Sequence, residues 1–510
     1  MMLTKYWNSF KSGTDIRGVA SEGVAGENVN LTDEVIEKLT SAFALWLSCR
    51  VGKDTSKLTV SLGHDSRISA NRISAAVSRA LMAAGITVLD CGLASTPSMF
   101  MTTVDLPCDG AVQITASHHP FNRNGLKFFT RDGGLDSEDI VAILQYAQDN
   151  VVPMAASGGC KKSVDYMSDY STHLREMIKK GVNAADYEHP LSGFKIVVDA
   201  GNGAGGFYAN EVLEPLGADT NGSQFLEPDG YFPNHIPNPE NEVAMQSVSA
   251  ATVKAGADLG VIFDTDVDRG GAVDAHGNEI NRNRLVAIAA AIALEGNEGG
   301  TIVTDSITSS GLKQYIETTL GGVHHRFKRG YKNVINEAVR LNKEGVNCPL
   351  AIETSGHAAL RENYFLDDGA YLVTKIIIKM AALRKEEKTL EDLLSTLAEP
   401  VEAAEIRLPI LDENFKECGQ TVVTALEAYA EAQPNWHIAP DNREGIRVSF
   451  DKGQGDGWFL LRLSVHDPIM PLNVESDSVG GVKQILEQLN AFLLTCKGVN
   501  IKPVEDFLSK

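Results

Sequence analysis

The chain has 510 residues, which at roughly 150 residues per domain predicts three or four domains. A hydrophobic fraction of 43% with 22% charged residues is ordinary for globular protein and excludes a disordered or repetitive polymer. Lys and Arg number 46 against 67 Asp and Glu, and the net charge of −21 disfavours nucleic acid and anionic membranes as partners. An anionic small substrate would therefore need a local cluster of basic residues.

The cysteines and the apolar runs predict the compartment. Seven cysteines are scattered along the chain without a C-x-x-C pair or a zinc-binding spacing, which favours a reducing environment. The first ten residues lack the apolar core of a secretion signal, and the longest apolar run, 285–294, is about half the roughly 20 residues that a spanning helix needs. We expect a soluble cytoplasmic protein.

Three segments repeat the pattern of a β-branched strand, a small polar loop and a helix. They begin at Leu58 (LTVSLGHDSR), Lys195 (KIVVDAGNGAGG) and Thr301 (TIVTDSITSSG). Such units build parallel or mixed sheets covered by helices, so we expect three similar α/β domains. After Pro400 a helix precedes two strands joined by a glycine-rich turn, which predicts a C-terminal α+β domain. The expected domains are 1–155, 156–282, 283–400 and 401–510.

One acidic segment is typical of a metal site. GVIFDTDVDRGG places Asp264, Asp266 and Asp268 at alternate positions after an apolar strand. Carboxylates at this spacing can converge on one hard cation, and ligation by oxygen alone favours magnesium over zinc. An EF-hand is disfavoured, because Arg269 stands where its glycine belongs and Ala275 where its last glutamate belongs. We favour a metal site, with a solvated acidic turn as the alternative.

A second segment, ITASHHPFNRNGLKFF, combines Ser117 with two histidines and, ten residues on, Lys127. A hydroxyl beside imidazoles and an ammonium suits an activated nucleophile or a phosphate carrier. The segment does not match the G-x-S-x-G elbow of hydrolases. A turn with satisfied hydrogen bonds is the more common origin of a lone Ser-His pair, so this segment gains weight only in company with others.

Two further segments suit a phosphorylated sugar. In ETSGH, Glu353, Ser355 and His357 supply the acceptors and donors that vicinal sugar hydroxyls need, and a helix N-cap with a chance histidine is an equal alternative. From REGIRVSF to LLRLSVHDP, the chain brings arginines and a hydroxyl onto adjacent strands or the following loop, as a phosphate dianion requires. A solvated sheet face is the alternative if this segment stands alone. Its candidate residues are Arg447, Arg462, Ser464 and His466.

One glycine motif indicates a different function. Gly201, Gly203 and Gly206 satisfy the G-x-G-x-x-G pattern, and Asp219 lies near the distance at which a ribose-binding acid belongs. The other two βα segments lack this fingerprint. We therefore favour glycines that permit a tight turn and close helix packing, and keep a nucleotide-cofactor enzyme as the rival.

Taken together and in this order, the segments resemble the α-D-phosphohexomutases, the family that includes phosphoglucomutase and phosphomannomutase. The resemblance spans nearly the whole chain and is carried by GTDIRG, GHDSR, TASHHP, DGYFPNHIPNP, DTDVDR, ETSGH and EGIR. It implies four domains around a central cleft. It also implies a magnesium-dependent mutase that interconverts hexose 1-phosphate and hexose 6-phosphate, of glucose, mannose or both, through a phosphoserine and a bisphosphate.

The same resemblance implies the activator and the alternatives. Hexose 1,6-bisphosphate would activate the enzyme, a phosphosugar would be its partner, and the chain would act as a monomer or weak homo-oligomer. Phosphoglucosamine mutase and a non-catalytic phosphosugar-binding relative are the alternative functions.

Residue roles also follow from the resemblance. Ser117 would carry the phosphate and, with Asp264, Asp266 and Asp268, would ligate magnesium. The other implied roles are Arg17 and Arg269 beside the phosphoserine, Lys127 and His357 in proton transfer, Glu353 and Ser355 on sugar hydroxyls, and Gly330 and Lys332 in a substrate loop.

Three positions depart from the family pattern. His119 replaces the asparagine of S-H-N-P, and Ile352 replaces the glycine before Glu353. In the fourth domain the phosphate loop reads R-L-S-V-H-D-P from Arg462 to Pro468, where the family has R-x-S-G-T-E-P. We expect these changes to affect substrate affinity and identity more than phosphoryl transfer.

Overall fold

The computed structural model describes residues 3–153, 158–464 and 467–509. The chain folds into two compact units. One unit is formed by Met1–Ile292 with Ser355–Leu393, and the other by Ala293–Thr354 with Leu394–Lys510. Each unit therefore takes its chain from two separate stretches.

A mixed eight-stranded sheet begins the first unit. Its strands are β1 (Lys11–Ser12), β2 (Asp15–Val19), β3 (Thr59–His64), β4 (Thr87–Leu93), β5 (Gly110–Ile114), β6 (Arg123–Thr130), β7 (Gly133–Gly134) and β8 (Lys161–Ser163). The helices are α1 (Lys5–Asn8), α2 (Asp33–Val51), α3 (Ala70–Ala83), α4 (Thr96–Asp105) and α5 (Ser137–Gln148). The predicted βα block gives the parallel pairs of β3 with β4 and β5, whereas β6 runs antiparallel to β5 and β2.

Helix α2 shows how the sequence sets these elements. Thr32 caps the first turn by accepting a hydrogen bond from the Val35 N–H, and Gly52 ends the helix in the left-handed conformation. Leu39 and Phe43 are fully buried in the core of this domain, and the Phe43 ring stacks on another aromatic ring at a centroid distance of 4.3 Å. Each such side chain stabilises the fold by about 1.5–3 kcal/mol.

A second, four-stranded sheet follows in the same unit. It contains β9 (Ile196–Asp199), β10 (Leu259–Phe263), β11 (Gly270–Asp274) and β12 (Glu279–Ile280), with helices α6 (Tyr166–Val182), α7 (Glu242–Ala255) and α8 (Arg282–Leu294). Strand β10 is parallel to β9 and antiparallel to β11, so this sheet is also mixed. The loops that follow β5 and β10 carry the predicted serine and the predicted aspartates.

The chain then enters the second unit and returns once to the first. In the second unit, β13 (Thr301–Thr304) pairs in parallel with both β14 (Val323–Arg326) and β15 (Leu350–Ile352). Helices α9 (Ser310–Gln314) and α10 (Tyr331–Lys343) belong to this part. Back in the first unit, β16 (Ala358–Leu360) and β17 (Leu366–Asp367) form an antiparallel hairpin, and α11 (Gly369–Lys385) packs on α6.

The last region of the second unit is an antiparallel sheet covered by helices. Its elements are α12 (Leu390–Leu394), β18 (Glu402–Pro409), α13 (Phe415–Glu431), β19 (His437–Ile438), β20 (Ile446–Phe450), β21 (Gly457–Leu461), β22 (Ile469–Ser476), α14 (Gly481–Leu493) and α15 (Lys502–Leu508). The strand order is β18-β22-β21-β20-β19. The predicted fold class, three α/β domains followed by an α+β domain, is confirmed.

The structure also bears on the cysteines and on the apolar segments. All seven cysteines are free thiols. In the described parts of the chain, no helix combines the length and the apolar character that crossing a membrane requires. The domain boundaries near 155, 282 and 400 stay predictions.

Candidate active site

The predicted nucleophile and the predicted metal loop meet in the first unit. Ser117 follows β5, is almost fully buried, and has a left-handed φ of 49°. Its hydroxyl donates to Asp264 Oδ2 over 2.9 Å and lies 3.2 Å from His118 Nδ1. Its N–H donates to the Thr115 hydroxyl at 2.9 Å. A serine held in an uncommon conformation against a buried carboxylate is typical of a functional site rather than a surface turn.

The three aspartates occupy the loop that joins β10 to β11. The strand register pairs Phe263 with Gly270, so the loop spans only 264–269. One oxygen from each carboxylate lies within 4.8 Å of one from each of the others, and all three residues are buried. Val267 has a φ of 68°, a strained value for a β-branched residue. The burial of the carboxylates excludes the solvated acidic turn.

The donor set of this loop fits a hard cation. Among the described residues, no hydrogen-bond donor reaches Asp266 Oδ1 or Asp268 Oδ1, although both atoms are buried. Buried oxygens without a partner are costly unless a ligand occupies them. Carboxylates are the ligands that hard divalent cations prefer, so the residues present fit a metal ion.

The electrostatics of the loop support the same interpretation. Burial, followed by the neighbouring carboxylates, raises the pKa of Asp264 well above its usual range and also raises that of Asp266. Burial opposes ionisation of Asp268 too, but Lys127 and other basic neighbours outweigh it and lower the pKa of Asp268. The loop thus carries more negative charge than its surroundings neutralise, and a cation would relieve the repulsion.

Two basic residues are tied to the aspartates. Lys127 lies on β6, and its Nζ donates to Asp268 Oδ2 at 2.7 Å in a buried ion pair. The Arg269 N–H donates to Asp264 Oδ1 at 3.2 Å, and its guanidinium lies 3.5 Å from the Glu240 carboxylate. Lys127 and Arg269 are therefore both bound to carboxylates of the metal loop.

Further positive charge converges on the serine loop. Arg17 lies on β2 and pairs with Asp15 at 3.0 Å. Burial, followed by the charge of Arg269, lowers the pKa of His118 to about 2. Burial, followed by the charge of Arg17, lowers the pKa of His119 to about 3. Both imidazoles are neutral, so arginines supply the local positive charge that an anionic substrate requires in this acidic chain.

The predicted proton-transfer histidine is also held in place. His357 precedes β16 and is buried, and its Nδ1 lies 2.6 Å from Asp367 Oδ2 and 3.9 Å from Asp268 Oδ1. A backbone bridge pairs it with Arg269 of the metal loop. The contact of Nδ1 with a carboxylate fixes the orientation of the ring beside the metal loop.

Two buried residues that support this site have no role in the sequence analysis. The Thr96 hydroxyl donates to the Asp266 carboxylate, and the Thr96 N–H donates to the Asp266 carbonyl at 2.8 Å. Arg67 donates to the Ser117 carbonyl. The sequence signals are weak: Thr96 reads only as a helix start before proline, and Arg67 belongs to GHDSR, a family motif without an assigned role.

In the second unit, two predicted sugar-site residues meet. The Gly330 N–H donates to Glu353 Oε1 at 2.5 Å, and the Gly330 φ of 117° is a value that favours glycine. Glu353 is buried directly after β15, and Lys332 is partly buried in the first turn of α10. The main chain of the predicted substrate loop therefore orients the Glu353 carboxylate. Ser355, which is also buried, begins the second stretch of the first unit.

Among the predicted phosphate residues of the fourth domain, Arg447 is set apart by its burial. Its guanidinium carbon lies 3.5 Å from the centroid of the Trp458 ring, and its NH1 donates to the carbonyls of Ser306 at 3.1 Å and Thr308 at 3.0 Å. Burial lowers its pKa well below the usual value. Arg447 thus fastens the fourth domain to the loop after β13, a role that the sequence did not suggest.

Arg462 and Ser464 are instead partly exposed after β21. Arg462 NH1 lies 3.6 Å from Glu444 Oε1, too far for a hydrogen bond, and the Ser464 hydroxyl accepts from the Asp467 N–H at 3.3 Å. His466 lies outside the described residues. Arg462 and Ser464 are thus less buried than Arg447, and they are the groups of this set that a phosphate could reach.

The glycine motif serves packing. A Cβ on Gly203 would lie 2.7 Å from the Thr265 carbonyl, and one on Gly206 would lie 2.3 Å from the Leu226 carbonyl. The neighbouring Ala204 N–H donates to that Thr265 carbonyl at 2.8 Å. Gly203 thus lets the loop after β9 lie directly on the metal loop, and Gly206 lets it pack on Leu226, as the sequence analysis favours over a dinucleotide site.

Comparison with known proteins agrees with this site. Models of the phosphoglucomutase/phosphomannomutase α/β/α domains I, II and III match residues 10–150, 168–277 and 281–401. The chain is 28% identical to a phosphomannomutase/phosphoglucomutase of Pseudomonas putida over 94% of each chain. It is also 28% identical to a phosphoglucomutase of Neisseria meningitidis, over 94% of this chain and 95% of the relative.

A solved structure extends the likeness to the whole fold. A phosphoglucomutase/phosphomannomutase family protein from Burkholderia thailandensis is 26% identical, with a TM-score of 0.78 over 97% of this chain and 98% of its own. Fold and site together define a multidomain α/β protein with a serine beside a metal-binding triad. The chain belongs to the phosphoglucomutase/phosphomannomutase family, and the resemblance seen in the sequence is confirmed.

Proposed function

We propose that this protein is a hexose-phosphate mutase that interconverts the 1- and 6-phosphates of glucose, mannose or both. The observation that carries the proposal is the Ser117 hydroxyl, 2.9 Å from a carboxylate of the metal-binding triad. The relatives named phosphomannomutase/phosphoglucomutase and phosphoglucomutase support the substrate class. The sugar would be a hexose whose reacting hydroxyls are those at C1 and C6.

Phosphoryl transfer would take place at the serine loop of the first unit. Phospho-Ser117 donates its phosphoryl group to the free hydroxyl of the hexose monophosphate, giving a 1,6-bisphosphate and a free serine. The other phosphate of that bisphosphate then returns to Ser117. Free hexose 1,6-bisphosphate would keep the serine phosphorylated and so would act as the activator.

The triad of Asp264, Asp266 and Asp268, with an oxygen of the serine phosphate, would hold Mg²⁺. When bound, Mg²⁺ would supply positive charge against the transferring phosphoryl oxygens. The guanidinium groups of Arg17 and Arg269 would stabilise the same developing charge. Stabilisation of this kind provides most of the catalysis in phosphoryl transfer.

Proton transfer requires a base for the attacking hydroxyl and an acid for the departing one. His357 would exchange this proton, and the contact of its Nδ1 with Asp367 orients the ring. Lys127 would assist, because its ammonium is oriented by a 2.7 Å contact with Asp268. The two groups would exchange roles between the half-reactions, since each sugar hydroxyl is attacked in one direction and released in the other.

Each of the four proposed domains carries one part of the proposed machinery. Domain I (1–155) supplies the serine, domain II (156–282) the metal loop, domain III (283–400) the sugar loops and domain IV (401–510) the phosphate loop. Glu353 and Ser355 would hold sugar hydroxyls with the help of Gly330 and Lys332. Arg462 and Ser464 would bind the phosphate that is not being transferred.

The test is a coupled assay with glucose, mannose and glucosamine 1-phosphates, Mg²⁺ and glucose 1,6-bisphosphate. Turnover of glucose or mannose 1-phosphate supports the proposal, turnover of the glucosamine ester alone would make the protein a phosphoglucosamine mutase, and none would make it a non-catalytic relative. Ser117→Ala should lose activity by about 10⁴-fold or more. The matched control is Ser163→Ala, an exposed serine on β8, which should keep full activity.

A further inference from the structure

Arg67 is one of the largest fully buried side chains of the chain, and the proposed chemistry gives it no task. It precedes α3, fifty residues before the serine it touches. Its two terminal nitrogens donate four hydrogen bonds to main-chain carbonyls of the serine loop. These carbonyls belong to Ser117, His119 (2.6 Å), Pro120 (2.7 Å) and Arg123 (3.0 Å).

The guanidinium is itself held on two further sides. Its Nε lies 3.3 Å from Asp65 Oδ2, in an ion pair without exposed surface. The ring of Phe232, in the DGYFPNHIPNP segment, lies 5.2 Å from the guanidinium carbon, a distance typical of a cation–π contact. The segment packs closely here, because a Cβ on Gly230 would lie 2.3 Å from the Ile68 nitrogen.

This arrangement explains how the serine loop keeps its shape. The left-handed backbone conformation of Ser117 is disfavoured by its Cβ. The four carbonyls of the loop also need hydrogen-bond donors, because they are buried. A guanidinium presents its donors in one rigid plane, so a single side chain can satisfy all four carbonyls and fix their relative positions. A lysine ammonium at the same place has three donors on one atom and cannot span the loop.

We propose that Arg67 is a positioning residue for phosphoryl transfer, and that Phe232 holds it beneath the serine loop. Through the main chain from Ser117 to Arg123, it sets the place of the Ser117 hydroxyl against the metal-binding carboxylates. In this role Arg67 would act through the main chain and not by contact with substrate or metal. The inference rests on the proposed function, since it presupposes that Ser117 is the group that carries the phosphoryl.

The test is Arg67→Lys, assayed with glucose 1-phosphate and glucose 1,6-bisphosphate. A displacement of about 1 Å at a reacting group can cost about 100-fold in rate, so we expect kcat to fall by about that factor while KM changes less than about threefold. Phosphorylation of Ser117 by the bisphosphate, followed by intact mass, should slow to a similar extent. A rise in KM at unchanged kcat would overturn the proposal, because it would place Arg67 in substrate binding.

Arg72→Lys is the matched control. Arg72 lies on the following helix, α3. It donates to the Asp33 carboxylate and to the main-chain carbonyls of Ala20 and Leu31, but to no carbonyl of the serine loop. It should leave kcat unchanged. If both variants lower kcat equally at equal melting temperature, any arginine of this domain that donates to main-chain carbonyls would have the effect, and the specific role of Arg67 would be wrong.

A second pair of variants keeps the four hydrogen bonds of Arg67 and changes only the aromatic ring that packs on its guanidinium. Phe232→Leu removes the ring, and we expect kcat about tenfold lower with KM unchanged. Phe232→Tyr keeps the ring and should restore the wild-type kcat. This pair decides the matter if Arg67→Lys does not fold, and wild-type kcat in Phe232→Leu would then overturn the proposal.

The failure of this inference can be told from the failure of the proposed function. Full activity of Ser117→Ala would remove the proposed function and the inference with it. An inactive Ser117→Ala together with a fully active Arg67→Lys would remove the inference alone.

Discussion

The serine site of the first unit and the phosphate residues of the second unit differ in how much the folded chain fixes in advance. Ser117, the three aspartates and Lys127 are buried, and the hydrogen bonds from Ser117 to Asp264 and from Lys127 to Asp268 are 2.9 Å and 2.7 Å long. Arg462 and Ser464 are partly exposed, and the carboxylate nearest to the Arg462 guanidinium lies 3.6 Å away. The serine site is held in place by short buried contacts, whereas the Arg462 guanidinium makes no hydrogen bond to Glu444.

The two tasks explain this difference. Phosphoryl transfer gains from groups that are already placed where charge develops, since no reorganisation is then needed in the transition state. The distant phosphate of a mutase substrate must instead be bound in two orientations of the sugar, one for each half-reaction. Such a site contributes similar binding to ground state and transition state, and adaptable contacts suit it.

The largest expected effect would come from breaking the preorganised region at its metal loop. Asp266→Asn should lower kcat by about 1,000-fold, because it weakens the binding of the cation. In chelator, however, the variant should melt about 2 °C or more above wild type, since three buried carboxylates repel without a cation. Steady-state kinetics measure the fall in kcat, and thermal melts with EDTA and with Mg²⁺ measure the change in melting temperature.

Asp274→Asn is the matched control for this prediction. Asp274 lies at the end of the same hairpin, but its Oδ1 accepts from the N–H groups of His276 and Asn278, and its Oδ2 accepts from the Asn278 side chain. Its replacement should lower the melting temperature with and without metal. Wild-type activity that persists in chelator would contradict the assignment of the metal loop.

Arg447, a buried arginine of the second unit, provides a second test of the comparison between the two regions. Arg447→Lys loses the flat stacking on Trp458 and part of the hydrogen bonding to the loop after β13. We expect the second unit to lose about 3 kcal/mol of its free energy of unfolding, with KM within about twofold of wild type. Urea titrations and steady-state kinetics measure the two quantities. A raised KM at unchanged stability would instead return Arg447 to phosphate binding.

What the sequence predicts well is local. The alternation of Asp264, Asp266 and Asp268 after an apolar strand is contained in one short segment, and so is the helix start at Thr32. The four-domain organisation follows from βα blocks that each repeat within a few dozen residues. Motif order then suffices for the family, because the motifs are short and specific.

What the sequence does not reveal is contact between distant segments. The hydrogen bond from Thr96 to Asp266 joins residues 170 positions apart, and the bond from Arg67 to Ser117 joins residues 50 apart. Arg447 reads as a phosphate ligand because an arginine on a strand has the same pattern whether it faces solvent or a neighbouring domain. Only tertiary packing decides between these environments.

A smaller effect is expected at Arg462, a partly exposed arginine of the second unit. Arg462→Ala should raise KM by about 30-fold with kcat within about threefold, since one charge-assisted contact to phosphate contributes about 2 kcal/mol of mostly uniform binding. Initial rates over a range of glucose 1-phosphate concentrations measure it. Arg407→Ala, which removes an arginine with a 70% exposed side chain from the same domain, is the control and should leave KM unchanged. A fall in kcat alone would contradict uniform binding by Arg462.

The smallest effect concerns the pH dependence of stability in the second unit. His324 on β14 is buried, and its Nε2 lies 2.8 Å from the Thr304 hydroxyl. Burial is the largest cause that lowers the pKa of His324 well below the ordinary 6.5. Electrostatic repulsion from nearby basic side chains is the second cause. These groups are Arg326, Lys313, Arg447 and His325.

Below about pH 6.5 the unfolded chain therefore binds one proton at His324 that the folded chain does not, and stability falls as the pH falls, by up to about 1.4 kcal/mol per pH unit. Glu475 acts in the opposite sense, because burial raises its pKa to about 7 and the folded chain takes up its proton first. The difference between wild type and His324→Gln, from urea unfolding between pH 5 and 8, isolates the histidine. That difference should shrink as the pH falls below 6.5. His437→Gln, at an exposed histidine on β19, is the comparison variant. The same pH dependence for the stability loss of both variants would mean that His324 takes up a proton in the folded protein as it does in the unfolded chain.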